Sequence, residues 1–118
     1  MTPRESGKSL TIDVEQNGDA AVVHLEGEVD LNVSPRLRAA LKELTGRRQP
    51  TIVIDMAGVP YIDSSGVATL VECLQSVSRY KGKLRLAALT QRASGVFEIS
   101  RLDTVFSIHK TVEEALAS

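Results

Sequence analysis

The segment Thr51 to Met56 constrains the fold more than any other part of this chain. It is a short, nearly continuous apolar run built on Ile52, Val53 and Ile54, with Asp55 as the exception. A run of that length without polar alternation suits a central strand covered on both faces. Behind it, Val67, Leu70, Val71, Leu74 and Val77 recur on one helical stripe, and the pattern stops near Gly82. Leu84, Leu86 and Ala88 then start another strand. Strand, helix and strand in that order imply parallel pairing through a right-handed crossover.

The remaining elements extend this unit at both ends. Leu10, Ile12 and Val14 alternate with Thr11, Asp13 and Glu15, the two-residue period of a half-buried strand. Asn17-Gly18-Asp19 turns the chain into a Val-rich run from Ala20 to Leu25, so an antiparallel hairpin opens the domain. Ser34-Pro35 reads as an N-cap followed by a first-turn proline, ahead of Leu37, Ala40, Leu41 and Leu44 at helical spacing and a stop at Gly46. Thr90 caps a short helix through Val96, Phe97 and Ile99, and Val105 to Ile108 forms a last edge strand. Thr111 with Glu114 is a capping-box pattern for a terminal helix holding Val112, Ala115 and Leu116. The expected fold is α/β: a mixed sheet of four to five strands with an N-terminal antiparallel hairpin and about four helices packed against it. Residues 1–8 read as a loose tail and residues 9–118 as a single domain.

Composition narrows the function classes. A chain of 118 residues with 42% apolar and 25% charged residues supports one compact core. A formal net charge of −1, two Phe, two Tyr and no Trp argue against nucleic-acid binding, which needs positive charge and stacking surfaces. No apolar run spans a bilayer, and Met1 to Ser9 lacks the apolar middle of a signal peptide, so a cytoplasmic protein is expected. The single cysteine, Cys73, lies among apolar residues and reads as a small buried hydrophobe. His24 and His109 have no metal-ligand companions at useful spacing and read as structural, so no metal or cofactor is expected. Arg36, Arg38, Lys42, Arg47 and Arg48 make the first helix and its exit basic, most simply as a solvated face. The lack of a long exposed apolar stripe favours a monomer.

The chemistry concentrates where the central strand passes into its helix, at Tyr61-Ile62-Asp63-Ser64-Ser65-Gly66-Val67. A helix start has unpaired N–H groups and a partial positive charge, so a serine there can cap the helix or carry a phosphate. A local account of the same residues stays open. Ser64 and Ser65 can act only as caps, Asp63 can position the loop, and Asp30 can form a turn with Asn32. Catalysis lacks its parts: there is no Gly-x-Ser-x-Gly elbow, no phosphate-binding Gly-rich loop with lysine, and no paired-cysteine zinc site.

Gly27-Glu28-Val29-Asp30 before the first helix, with Ile62-Asp63-Ser64-Ser65-Gly66 before the second, resembles the STAS domain of bacterial anti-sigma factor antagonists. The likeness covers nearly the whole chain, and the Asp-Ser-Ser-Gly segment is its more specific part. Val67 stands where a Leu is common in that family and Tyr61 where a Phe is common. The resemblance implies a non-enzymatic binding module in a partner switch. The unphosphorylated protein captures an anti-sigma factor that is also a serine kinase, phosphorylation ends the capture, and a metal-dependent serine phosphatase restores it. By the same resemblance the acceptor is Ser64, with Ser65 as the alternative, and the partner surface comprises Asp30, Asn32, Ile62, Asp63, Ser64, Ser65 and Gly66. STAS domains also resemble unphosphorylated interaction subunits of transporters and signalling scaffolds, and the output of a switch need not be a sigma factor.

Overall fold

The computed structural model describes residues 10–118, so the expectation of a loose tail over residues 1–8 lies outside the described residues. The hairpin is formed by β1 (Thr11–Asn17) and β2 (Ala20–Glu26), antiparallel with Asn17 opposite Ala20. Its two-residue connection begins with Gly18 at φ +63°, a conformation that costs glycine nothing. Then follow α1 (Ser34–Gly46), β3 (Thr51–Gly58), α2 (Ser64–Arg79), β4 (Lys83–Ala87), α3 (Gln91–Ile99), a short 3₁₀ turn (Leu102–Thr104), β5 (Ser107–His109) and α4 (Val112–Ala117).

The five strands lie in sequential order, β2 to β5 all parallel. That order has a physical cause. The helices α1, α2 and α3 bury their apolar residues in one cluster with Ala21, Val23, Leu25, Ile52, Ile54, Met56, Leu84 and Leu86, on one face of the sheet. Crossovers of constant hand over one face carry each new strand in the same direction. The alternate residues Val22, Val53 and Ala87 point to the other face, where α4 covers them through Ala115, Val112 and Leu116. The central β3 is thus covered on both sides, as its unbroken apolar run requires.

Several local expectations change. Ser34 is the first residue of α1 rather than its cap, is buried, and makes no side-chain capping bond. The amides of Val33 and Ser34 donate instead to the Asp30 carbonyl, at 3.1 and 2.9 Å. The buried side of α2 is Gly66, Val67, Thr69, Leu70, Cys73 and Val77, whereas Val71 and Leu74 are only half-buried. The stripe has rotated toward α1, against which Thr69 and Cys73 pack beside Leu41, and Arg38 on α1 donates to Glu72 on α2 at 2.9 Å. Ala88 leaves β4 for the left-handed region at φ +61°. Val105 and Ile99 are exposed, and the last strand begins at Ser107. The caps at Thr90 and Thr111 form as expected, each hydroxyl accepting from the amide three residues on.

Candidate functional site

Beyond a β-bulge near the end of β2, the chain rejoins its neighbour for one more step. Val29 and Ile62 form an isolated parallel bridge, with Val29 N–H donating to the Tyr61 carbonyl at 2.9 Å and Asp63 N–H to the Val29 carbonyl at 3.0 Å. This draws the loop before α1 against the loop before α2 at the carboxyl edge of the sheet, where ligands and partners of open α/β sheets are ordinarily met. Asp30 and Asp63, each one residue past the bridge, are thereby brought side by side.

Asp63 is the cap of α2. In extended backbone (φ −102°, ψ −175°) it turns Oδ1 onto the Ser65 amide at 2.9 Å, the Gly66 amide at 3.1 Å and the Ser65 hydroxyl at 2.6 Å. Burial alone would push this carboxyl up. The bonds from the Ser65 hydroxyl, the Gly66 and Ser65 amides and the Leu31 amide outweigh burial and hold it below the ordinary carboxylate range. Asp63 is therefore ionised at neutral pH.

The two serines then part company. Ser65 donates its hydroxyl to Asp63, and its carbonyl accepts from the Thr69 hydroxyl at 2.9 Å. Ser64 is exposed, and among the described residues its hydroxyl makes no hydrogen bond. Ile62 (1% exposed) and Gly66 are buried, so they shape the surface from beneath. A Cβ on Gly66 would stand 2.7 Å from both Val29 Cγ1 and Ile62 Cγ1, so this glycine is what lets the helix start sit on the bridge. Asp30 holds a turn, its Oδ1 accepting from the Asn32 amide at 3.0 Å, and Asn32 itself is exposed.

Two residues absent from the sequence analysis, Arg92 and Leu31, belong to this edge, and Thr90, expected there only as a helix cap, joins them. Thr90 donates its hydroxyl to the Val59 carbonyl at 3.0 Å and so pins the loop to α3. Arg92 stacks over the Tyr61 ring at 5.4 Å. Leu31, between Asp30 and Asn32, is 70% exposed. Its one sequence signal was an apolar residue between two turn formers, outside the stripe of α1.

His24 is on the opposite face of the sheet, with Val22. Both ring nitrogens are engaged, Nε2 with Glu15 at 2.8 Å and Nδ1 with Asp55 at 2.6 Å. Hydrogen bonds that the ring donates to Glu15 and then Asp55 raise its pKa. It is placed to join three strands, not to take a proton from Ser64. Burial pushes the Cys73 thiol up to about 12, which makes it an inert core group. Among the described residues no group of three or more His, Cys, Asp or Glu side chains is arranged to hold a metal ion, and no helix is long and apolar enough to cross a membrane.

A five-stranded mixed sheet of this order with four helices is the architecture of the STAS fold, and residues 11–115 match the STAS domain family. The chain is 30% identical over 100 residues to the anti-sigma-B factor antagonist of Bacillus subtilis, covering 85% of this chain and 91% of that protein. It superposes on the crystal structure of an anti-sigma factor antagonist from Mycobacterium paratuberculosis with a TM-score of 0.86, at 26% identity and with 92% of each chain covered. The phosphorylated form of the Bacillus cell fate determinant SpoIIAA shares the fold, with a TM-score of 0.73 at 23% identity over 91% of this chain and 97% of that one. The chain belongs to the STAS-domain anti-sigma factor antagonist family.

Proposed function

We propose that this protein is the antagonist component of a partner switch. Unphosphorylated, it captures an anti-sigma factor with serine kinase activity and so frees that factor's target; phosphorylation of Ser64 ends the capture, and a metal-dependent serine phosphatase restores it. The observation that carries this reading is the difference between the serines. Ser64 offers an exposed hydroxyl with no bond among the described residues, while the Ser65 hydroxyl is committed to Asp63 at 2.6 Å. Asp30, Asn32, Asp63 and Ser65 form the rest of the docking face, with Ile62 and Gly66 supporting it.

The chemistry of exclusion follows from the cap. A phosphoserine adds close to two negative charges at roughly pH 7. Asp63 already accepts from the Ser65 and Gly66 amides, so the helix start has fewer free donors to offer a phosphate than an uncapped one would. The phosphate therefore stays in solvent, beside an ionised Asp63, where an incoming partner must desolvate or repel it. Desolvating an unpaired charge costs several kcal/mol in order of magnitude, and each ~1.4 kcal/mol is a factor of ten in affinity. Capture should weaken by about a hundredfold or more.

The test is phosphorylation of the purified chain by the source organism's anti-sigma factors with ATP, followed by site mapping of the peptide from Tyr61 to Arg79. Label on Ser64, lost in Ser64→Ala and kept in Ser65→Ala, is the expected result. Label that follows Ser65, or recovery of a transporter subunit and no kinase from cell extract, would overturn the reading in favour of a shifted acceptor or an unphosphorylated interaction subunit respectively.

A further inference from the structure

We propose that Leu31 is the apolar anchor of the docking face and sets which anti-sigma factor the chain captures; the inference rests on the partner-switch reading above. Four large apolar side chains are exposed among the described residues: Val14, Leu31, Ile99 and Val105. Val14 is on the outer strand β1, and Ile99 and Val105 flank the 3₁₀ turn. Leu31 alone adjoins the switch. Leu31 and Ser64 each follow the Val29–Ile62 bridge by two residues, Leu31 in the loop before α1 and Ser64 at the start of α2, so both lie in the segments that this bridge holds together.

The leucine is also held still. Its backbone lies near enough to the Asp63 carboxylate to help hold that group's pKa down, and Asp63 caps the helix carrying Ser64. On its other side Asp30 accepts from the Asn32 amide at 3.0 Å through Oδ1 and from the Val33 and Ser34 amides through its carbonyl. The bridge and these turn bonds fix the leucine's loop relative to the helix that carries the serine. A turn so thoroughly bonded that still presents its apolar side chain to water loses little further freedom on binding, the condition under which a single side chain contributes most to affinity.

The occupant this arrangement fits is the substrate-binding face of a serine kinase. Its active site receives the Ser64 hydroxyl, and an uncharged apolar pocket beside that site receives Leu31. The Asp63 cap fixes the helix start that carries Ser64 but offers no apolar grip, since Ile62, Val29 and Gly66 are buried. Discrimination among kinases of one class then falls to the side chain at position 31.

The probe is each purified anti-sigma factor of the source organism, titrated calorimetrically against the wild-type chain and against Leu31→Ala, Leu31→Met, Leu31→Lys and Ser64→Asp, with thermal unfolding of every variant recorded. Leu31→Ala should weaken capture about tenfold or more and Leu31→Lys about a hundredfold, while Leu31→Met stays within about threefold. Unfolding midpoints should match the wild type, because the side chain is in solvent. Wild-type affinity in Leu31→Ala together with weakened capture in Ser64→Asp would overturn the anchor and leave the switch standing. Weakened capture in Leu31→Ala with none in Ser64→Asp would do the reverse. If no anti-sigma factor captures the wild-type chain, both fall.

Discussion

Substituting Gly66 by Ala is the sharpest structural test of the docking edge. The added methyl would lie 2.7 Å from Val29 Cγ1, 2.7 Å from Ile62 Cγ1 and 3.1 Å from Ile62 Cδ1. Ordinary carbon contacts begin near ~3.5 Å, so each neighbour must retreat by roughly 0.8 Å. Neither has room: Val29 is 0% and Ile62 1% exposed, both are β-branched and stiff at χ1, and the two are locked to each other by the bridge. Forcing a methyl into such a site costs about 1–3 kcal/mol. Relief of glycine's helical penalty returns at most about 1 kcal/mol, and less in the first turn.

The same substitution at Gly95, within α3, meets nothing within 4 Å. There the conformational gain of about 0.5–1 kcal/mol stands alone. For a domain of this size 1 kcal/mol moves the midpoint by roughly 4 °C. Gly66→Ala should therefore lower Tm by about 4–8 °C and Gly95→Ala raise it by about 2–4 °C, measured by calorimetry with urea titration as a second probe. Equal shifts, or a more stable Gly66→Ala, would refute the claim that the helix start rests on the bridge.

The rotated stripe of α2 predicts that Leu70→Ala costs ~2–5 kcal/mol and Leu74→Ala clearly less, since Leu70 is 0% exposed and Leu74 half-buried; urea titrations giving the opposite order would reject it. Because the folded pKa of His24 is raised above its ordinary value of 6.5, its contribution is complete below that value and lost as pH rises through the folded pKa. The wild-type urea midpoint should fall over that window, and His24→Gln, which leaves Glu15 and Asp55 without a titrating partner, should flatten this part of the profile. Asp63 runs the other way. Its folded pKa is lowered, so its contribution is present above the unfolded value and lost as pH falls through the folded one, and Asp63→Ala should cost about 1 kcal/mol at neutral pH as a lost N-cap.

The elements were legible in the sequence where a period was unambiguous. The alternation of β1 located the strand but not its burial, since Val14 is 43% exposed and Ile12 only half-buried. The apolar run of β3 and the caps at Thr90 and Thr111 each had one physical solution. The face of α2 did not, because counting only Val and Leu overlooks what else can be buried. Thr69 is 1% exposed once its hydroxyl donates to the Ser65 carbonyl, and Cys73 is a small hydrophobe, so the buried arc turns toward α1 and away from Leu74. Ser34 failed as a cap for a related reason. The Asp30 carbonyl already receives the amides at the entry to α1, which only the three-dimensional turn reveals. At the site, the pairing of Asp30 with Asp63 depends on the Val29–Ile62 bridge, a contact 33 residues apart that no local pattern encodes. The division of labour between Ser64 and Ser65 depends on which way one carboxylate turns.

That carboxylate also bears on how the proposed switch would work. If phosphorylation acted by remodelling the helix start, Asp63 would have to release the Ser65 hydroxyl and the Ser65 and Gly66 amides. Losing an N-cap costs about 0.5–2 kcal/mol, and a phosphate already hydrated in solvent has little to gain by taking one or two amides from it. The cap should survive, and the modified and unmodified proteins should differ in charge at one point on an otherwise unchanged surface. An amide NMR spectrum of the phosphorylated protein should then show shifts confined to the bridge loops and the first turn of α2. Shifts spread through β1 or α4 would require a conformational route that this bonding pattern does not provide.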